Sequence, residues 1–330
     1  MRRSSSLQAA LSPAKTASST VTATPVAEEV VQEQVHKLVV RHTPLQIFVC
    51  DEESHFYSQV LEKLLLRNCR DTRARIIEFG AGDGTPVINA LLRGASGGCN
   101  FGDSMVHGYE LNPKAAAVAT RNAADMGVAH QYKVHNSCFF KGAATTDATW
   151  LIANPPYIPA EDDNILMPAL HGGEDGANLT RDLMTLGFEN MVLLLSAYSN
   201  PVETIEHARR QGYRVTDFMV TPLPFGYYSS EPKVRKWIEG MKEEGKAYFS
   251  RNTYLLAGAL LQLPARMDED DNDDVAPSTP PPAGNIVPTP LRIRRASREE
   301  GYKGRRPAVP CSAIADDLTD ELIAVMTALK

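Results

Sequence analysis

Asn154-Pro155-Pro156-Tyr157 follows the apolar run Trp150 to Ala153 and is built almost without donors. Neither proline carries a backbone N–H, and each fixes φ, so the turn holds its carbonyls in set directions. The Asn154 side-chain oxygen and the Pro155 carbonyl are two acceptors beside a phenol ring. Such a pair is suited to gripping the N–H bonds of a nitrogen attached to a planar carbon, on which Tyr157 can stack. A proline turn that ends a strand, with Asn154 as its cap, is the plainer alternative.

A second candidate precedes it: Glu78-Phe79-Gly80-Ala81-Gly82-Asp83-Gly84, after the apolar strand pattern of Ala74 to Phe79. Glycines let a backbone turn tightly and approach a ligand, and a helix N-terminus behind them offers free N–H groups. The loop suits a nucleotide-like ligand. A dinucleotide fingerprint needs its third glycine at position 85, whereas here it stands at 84 with an acid ahead of the loop, which argues against NAD. Glu110 closes the next strand pattern, Met105 to Glu110, where a carboxylate can accept both hydroxyls of a ribose.

These residues need elements to hold them, and the chain alternates. Thr85-Pro86 reads as a helix start with threonine as cap; Asn112-Pro113 repeats the signal before a helix closed by Gly127. Strand patterns follow at 131–135, 149–154, 191–196 and 213–220, with a helix between the last two. The expectation is an α/β fold, a doubly wound, mostly parallel Rossmann-like sheet whose ligands sit at the carboxyl ends of the strands.

The chain has 330 residues, 43% of them hydrophobic, and a formal charge of −6. That charge gives no general attraction to nucleic acid, and no apolar run reaches the roughly 20 residues of a membrane-spanning helix. Five widely spaced cysteines lack the paired spacing of a structural zinc site and read as free thiols, with no metal expected. Residues 1–36 are rich in Ser, Thr and Ala, with basic residues and no acid before Glu28, which fits an organelle (chloroplast or mitochondrial) transit peptide; an untargeted tail in a cytoplasmic protein is the alternative. Residues 37–264 read as the folded domain, 265–310 as an acidic, Pro-rich and then basic linker, and 311–330 as an amphipathic helix. That helix, with Ile314, Leu318, Leu322, Met326 and Leu329 on one stripe, either folds back on the domain or docks to a partner protein.

Glu78, the GxGxG loop and Glu110 together resemble the class I S-adenosylmethionine-dependent methyltransferases. The resemblance implies a seven-stranded sheet, S-adenosyl-L-methionine as cofactor, Glu78 facing its methionine amino group and Glu110 its ribose, with Phe79, Gly80, Ala81, Gly82, Gly84, Leu111 and Asn154 also lining it. NPPY resembles the motif of enzymes that methylate nitrogen on a planar carbon. Two acceptors on the N–H bonds pyramidalise such a nitrogen and stabilise the charge that develops in the transfer. Asn154, Pro155, Pro156 and Tyr157 are then the catalytic candidates. His171-Gly172-Gly173-Glu174-Asp175-Gly176, with Arg181 beyond, resembles the segment that follows NPPY in HemK-type release-factor glutamine methyltransferases.

The sequence also departs from that family. Its third strand pattern ends without the acid that usually meets the adenine amino group; Ser137 and Cys138 stand there as the candidates to line the adenine, with a weaker contact. The helical N-terminal domain and the Pro-Arg-Pro-Glu-Thr-like segment are not evident, and only a strand and one helix, Glu53 to Leu66, precede the loop. Residues 221–251 form an insertion whose Phe225, Tyr227, Tyr228 and Trp237, with Lys233, Arg235 and Lys236, read either as a substrate lid or as a packed surface helix. The implied substrate is a glutamine-bearing protein; alternatives are an exocyclic amine of RNA or DNA, a small molecule, and a cofactor-binding interaction module without catalysis.

Overall fold

The computed structural model describes residues 50–69, 73–98, 101–264 and 316–330. The transit-peptide reading of residues 1–36, the strand expected just before Cys50 and the linker at 265–310 lie outside them, as do Cys99 and Cys311.

A helix α1 (Asp51–Val60), continued by wider π-helical turns over Leu61–Leu66, packs its Phe56, Val60, Leu61, Leu64 and Leu65 into the core. The alternation then unfolds as β1 (Arg75–Phe79), α2 (Thr85–Ser96), β2 (Met105–Glu110), α3 (Pro113–Asp125), β3 (Tyr132–Asn136), α4 (Phe139–Thr145) and β4 (Trp150–Ala153). It continues with α5 (Asn178–Met184), β5 (Asn190–Ser196), α6 (Pro201–Arg210), β6 (Arg214–Pro224), α7 (Pro232–Glu243), β7 (Phe249–Ser250), β8 (Thr253–Gln262) and α8 (Thr319–Met326).

The sheet runs β3-β2-β1-β4-β5-β8-β6, with two-residue β7 pairing onto β8. β1 to β5 pair in parallel; β8 inserts antiparallel between β5 and β6. This is the seven-stranded class I methyltransferase topology, with β7 added. Helices cover both faces, so the central strands read as unbroken apolar runs: every residue of β4 is buried. The strand order reverses between β1 and β4, and Gly80–Gly84 and Asn154–Tyr157 both leave the sheet at that point. Open α/β sheets hold ligands in such a crevice.

Local details differ from the sequence reading. Thr85 is not the cap of α2: Gly84, with φ 79°, occupies that position, and the Asp83 carboxylate accepts from the Thr85 N–H at 3.0 Å and from its hydroxyl at 2.9 Å. Asn112 caps α3 as expected, accepting from the Lys114 N–H at 3.0 Å. Strand β6 extends to Pro224, taking up the first residues of the presumed insertion. Phe225 is a core residue stacked on Tyr198 and covered by the Arg235 guanidinium at 3.9 Å; Tyr227 of the same segment is exposed.

Helix α8 folds back on the domain. Leu322 and Met326 are fully buried against the layer that holds α6 and β6, the Leu318 N–H donates to Val215 O, and Arg209 pairs with Asp320. Leu329 lies past the helix end, and Ile314 is outside the described residues.

Candidate active site

Glu78, the penultimate residue of β1, is almost completely buried, and Tyr132 donates its hydroxyl to Oε2 at 2.6 Å. Burial pushes the carboxyl up to about 8 against the lowering effect of that bond, and the other charges acting on it, Glu110 and Asp83, are also acidic. The space it occupies depends on Gly108 next door on β2: a Cβ there would stand 2.9 Å from Glu78 Oε2 and 3.0 Å from the Tyr132 ring. The Tyr57 hydroxyl of α1 is buried, makes no hydrogen bond and lies within electrostatic reach of Glu78. A buried carboxylate surrounded by acids and phenols is a receptor for a cationic amine.

The glycine loop is tied to the next strand. Gly80 and Ala81 donate to Tyr109 O at 3.0 and 3.1 Å, and the Gly82 N–H donates to Glu110 Oε2 at 2.9 Å. Glu110 Oε1 accepts from the Asn112 N–H at 2.7 Å. Burial raises the Glu110 pKa and these backbone donors lower it. A carboxylate has about four acceptor sites, and the backbone donors at Asn112, Gly82 and Leu111 leave about one for a ribose hydroxyl. Gly80, Gly82 and Gly84 all have positive φ, and a side chain at Gly84 would press on Tyr132, Ala119 and Ile88.

Beyond Glu110, the partly exposed Leu111 flanks the loop, and Asn136 donates to the Glu110 and Leu111 carbonyls at 2.9 and 3.1 Å. Ser137 donates its N–H to Glu110 O at 3.2 Å, and Cys138 is buried at the start of α4. Phe79 meets Phe139 and Phe140 edge-on, so this end of the crevice is apolar where an acid was lacking.

At the end of β4 the Asn154 side-chain oxygen is buried without a hydrogen-bond partner, as is the Tyr157 hydroxyl. Buried polar atoms are nearly always paired, so the Asn154 oxygen marks a place where a ligand can supply the partner, whereas the Tyr157 hydroxyl faces the Glu53 carboxylate. Pro155 is buried and Pro156 half-buried. The Tyr157 ring packs in the core, tilted against Tyr198 at 5.8 Å, rather than offering a free stacking face.

The segment after NPPY is a brace for it. Ile158 and His171 pair as a parallel bridge, through Ile158 N–H to Leu170 O at 3.0 Å and Gly172 N–H to Ile158 O at 2.8 Å. Ser199 donates to Tyr157 O at 2.6 Å, and Arg181 grips Asp175 with two nitrogens at 2.8 and 2.9 Å while Asn200 donates to the same carboxylate at 2.8 Å. Added Cβ atoms would meet Pro156 O at 2.8 Å from Gly172 and Tyr157 O at 2.6 Å from Gly176. The glycines after His171 therefore let this loop lie directly on the NPPY backbone.

The crevice thus brings Glu78, the glycine loop and Glu110 to the carboxyl ends of adjacent strands, with Asn154 opening from the next one. Its residues fit S-adenosylmethionine: a buried acid for an ammonium, a carboxylate with a site for a ribose hydroxyl and an apolar end for a base. Sequence reasoning missed Tyr57, Tyr132, Gly108 and Glu53, whose carboxylate faces Asn154 and Tyr157. The sequence reading has only a strand and a helix, Glu53 to Leu66, ahead of the loop and assigns none of the helix's side chains a role.

The chain is similar to release factor glutamine methyltransferases. It is 29% identical to that of Salmonella typhimurium over 107 residues, 32% of this chain and 34% of the Salmonella protein. A Methanocaldococcus jannaschii protein provisionally named a protein N5-glutamine methyltransferase is 26% identical over 178 residues, 49% of this chain and 82% of that protein. The chain therefore spans about a third of the bacterial relative's length. A solved structure of a SAM-dependent methyltransferase from Geobacter sulfurreducens superposes with a TM-score of 0.38 at 13% identity, covering 73% of this chain and 98% of that one. No family model matches the chain.

Proposed function

We propose that this chain is an S-adenosylmethionine-dependent N-methyltransferase acting on a planar nitrogen, with a protein glutamine side chain as acceptor. The observation that carries the reading is the buried, unpartnered Asn154 oxygen at the end of β4, beside a crevice built to hold an amine and a ribose.

When bound, S-adenosylmethionine supplies an electrophilic methyl group. Glu78 holds its amine, with the Tyr132 hydroxyl fixing the carboxylate. Glu110 would turn its remaining acceptor site to the ribose, while it holds the glycine loop through the Gly82 N–H and the turn into α3 through the Asn112 N–H. Asn154 Oδ1 and the Pro155 carbonyl take the two N–H bonds of the acceptor amide, turning its lone pair out of conjugation. An acceptor on a developing cation contributes on the order of 3 kcal/mol, judged from single donors in oxyanion sites. Ser199 and the glycines after His171 hold the turn at its far end, so the acceptors meet the substrate already aimed.

The relatives named for glutamine methylation favour a protein amide over an exocyclic amine of a nucleic acid. Incubating the purified chain with methyl-labelled cofactor and a cell extract tests this. Label is expected in protein, released as N-methylated glutamine after digestion; label confined to RNA or DNA rejects the glutamine acceptor.

A further inference from the structure

One acid beside the NPPY turn has no part in the chemistry above. Glu53 lies in the first turn of α1, partly buried. Its carboxylate faces Asn154 and Tyr157 beyond β4, Tyr254 of β8, whose hydroxyl is 3.5 Å from Oε1, and Cys50 at the start of its own helix. Tyr198 beyond β5 lies within its electrostatic reach. None of these groups is a cation.

An asparagine amide presents a donor on one side and an acceptor on the other, in nearly the same shape. The proposed grip works only with Oδ1 turned to the incoming N–H. A carboxylate is acceptor-only: it draws Nδ2 and repels Oδ1, so it selects one of the two orientations. Oδ1 is buried without a partner, and the Asn154 side chain is among the groups that lower the Glu53 pKa, the effect of a donor turned toward the carboxylate. The Tyr157 hydroxyl faces the same carboxylate without a formed hydrogen bond.

We propose that Glu53 is a positioning residue that fixes the Asn154 amide with its nitrogen toward the protein and its oxygen toward the substrate. The proposal rests on the methyl-transfer reading above. A protonated Glu53 can donate to Oδ1 and no longer selects the orientation. Burial raises its pKa, so turnover falls on acidification at a pH above the ordinary carboxylate range.

The test uses the full chain, the protein acceptor found by labelling, and Glu53→Gln, Glu53→Asp, Glu53→Ala and Asn154→Ala variants. It measures kcat and KM against pH, S-adenosylhomocysteine binding by calorimetry, and the Asn154 side-chain amide NMR signal. Glu53→Gln is expected to lower kcat about 10- to 100-fold, the range of misplaced reacting groups, with homocysteine-adduct affinity nearly unchanged. The acidic limb of kcat disappears in Glu53→Gln and returns in Glu53→Asp. In the unsubstituted protein the Asn154 signal titrates with the midpoint of that limb, a readout available even if the variants fold poorly. An Asn154 signal insensitive to pH, or a Glu53→Gln enzyme with unchanged kcat and limb, overturns the positioning role. An active Asn154→Ala enzyme overturns the methyl-transfer reading instead.

Discussion

Replacing Glu110 by alanine separates its two duties. In the structure its carboxylate accepts from Gly82 N–H at 2.9 Å and from Asn112 N–H at 2.7 Å, the first bond shaping the glycine loop and the second the turn into α3. Each bond to a charged acceptor is worth roughly 1.5 to 3 kcal/mol, and partial exposure lets water recover some of it, so a net loss of about 2 kcal/mol of stability is expected. At roughly 2 to 4 °C per kcal/mol for a domain of this size, Tm falls by about 4 to 8 °C. The ribose loses its charged acceptor at the same time, which costs up to about 3 kcal/mol of binding, or about a hundredfold in Kd. Calorimetric titration with S-adenosylhomocysteine at a temperature where both proteins are folded measures the second quantity, and scanning calorimetry the first. Glu110→Gln, which keeps one acceptor oxygen, falls between. A folded Glu110→Ala protein whose Kd changes less than threefold refutes the ribose role, and an unchanged Tm refutes the loop-holding role.

Glu78, with its pKa raised to about 8, binds its proton more tightly folded than unfolded, so the ligand-free protein loses stability as pH rises from the ordinary carboxylate pKa through 8. Glu78→Gln should flatten that loss when Tm is measured between pH 5 and pH 9; an identical Tm profile contradicts the assignment. Gly176→Ala forces a side chain at φ 79° to within 2.6 Å of Tyr157 O, and should destabilise the protein by about 2 kcal/mol or more in urea unfolding while lowering kcat. Leu322→Ala empties a fully buried site on α8 and should cost about 2 to 5 kcal/mol in the same assay. An effect below 0.5 kcal/mol shows α8 to be loosely held.

The sheet was legible because buried parallel strands are unbroken apolar runs, and Trp150 to Ala153 or Met191 to Ser196 have no other reading at that length. The crevice was legible because glycines at 80, 82 and 84 and the prolines at 155 and 156 impose backbone geometry locally. What stayed hidden depends on distant contacts. The Glu78–Tyr132 bond joins strands 54 positions apart, and nothing in either strand's pattern announces it. Thr85 looked like a cap, but both its N–H and its hydroxyl are donated to Asp83 two residues earlier, and Gly84 takes the cap position. For the aromatics at 225 to 237, composition was equally compatible with cover or core. Tertiary packing put Phe225 inside, under Arg235, and left Tyr227 out. Glu53 stayed hidden because its neighbour Tyr254 comes from β8, 201 positions away.

Single-turnover methyl transfer by Asn154→Ala tests the central claim most directly, run beside calorimetric binding of S-adenosylhomocysteine. Removing one acceptor from the proposed grip should lower the transfer rate by about 10² to 10³ while the ligand Kd stays within a few-fold. Transfer at the unsubstituted rate, with normal binding, would contradict the account.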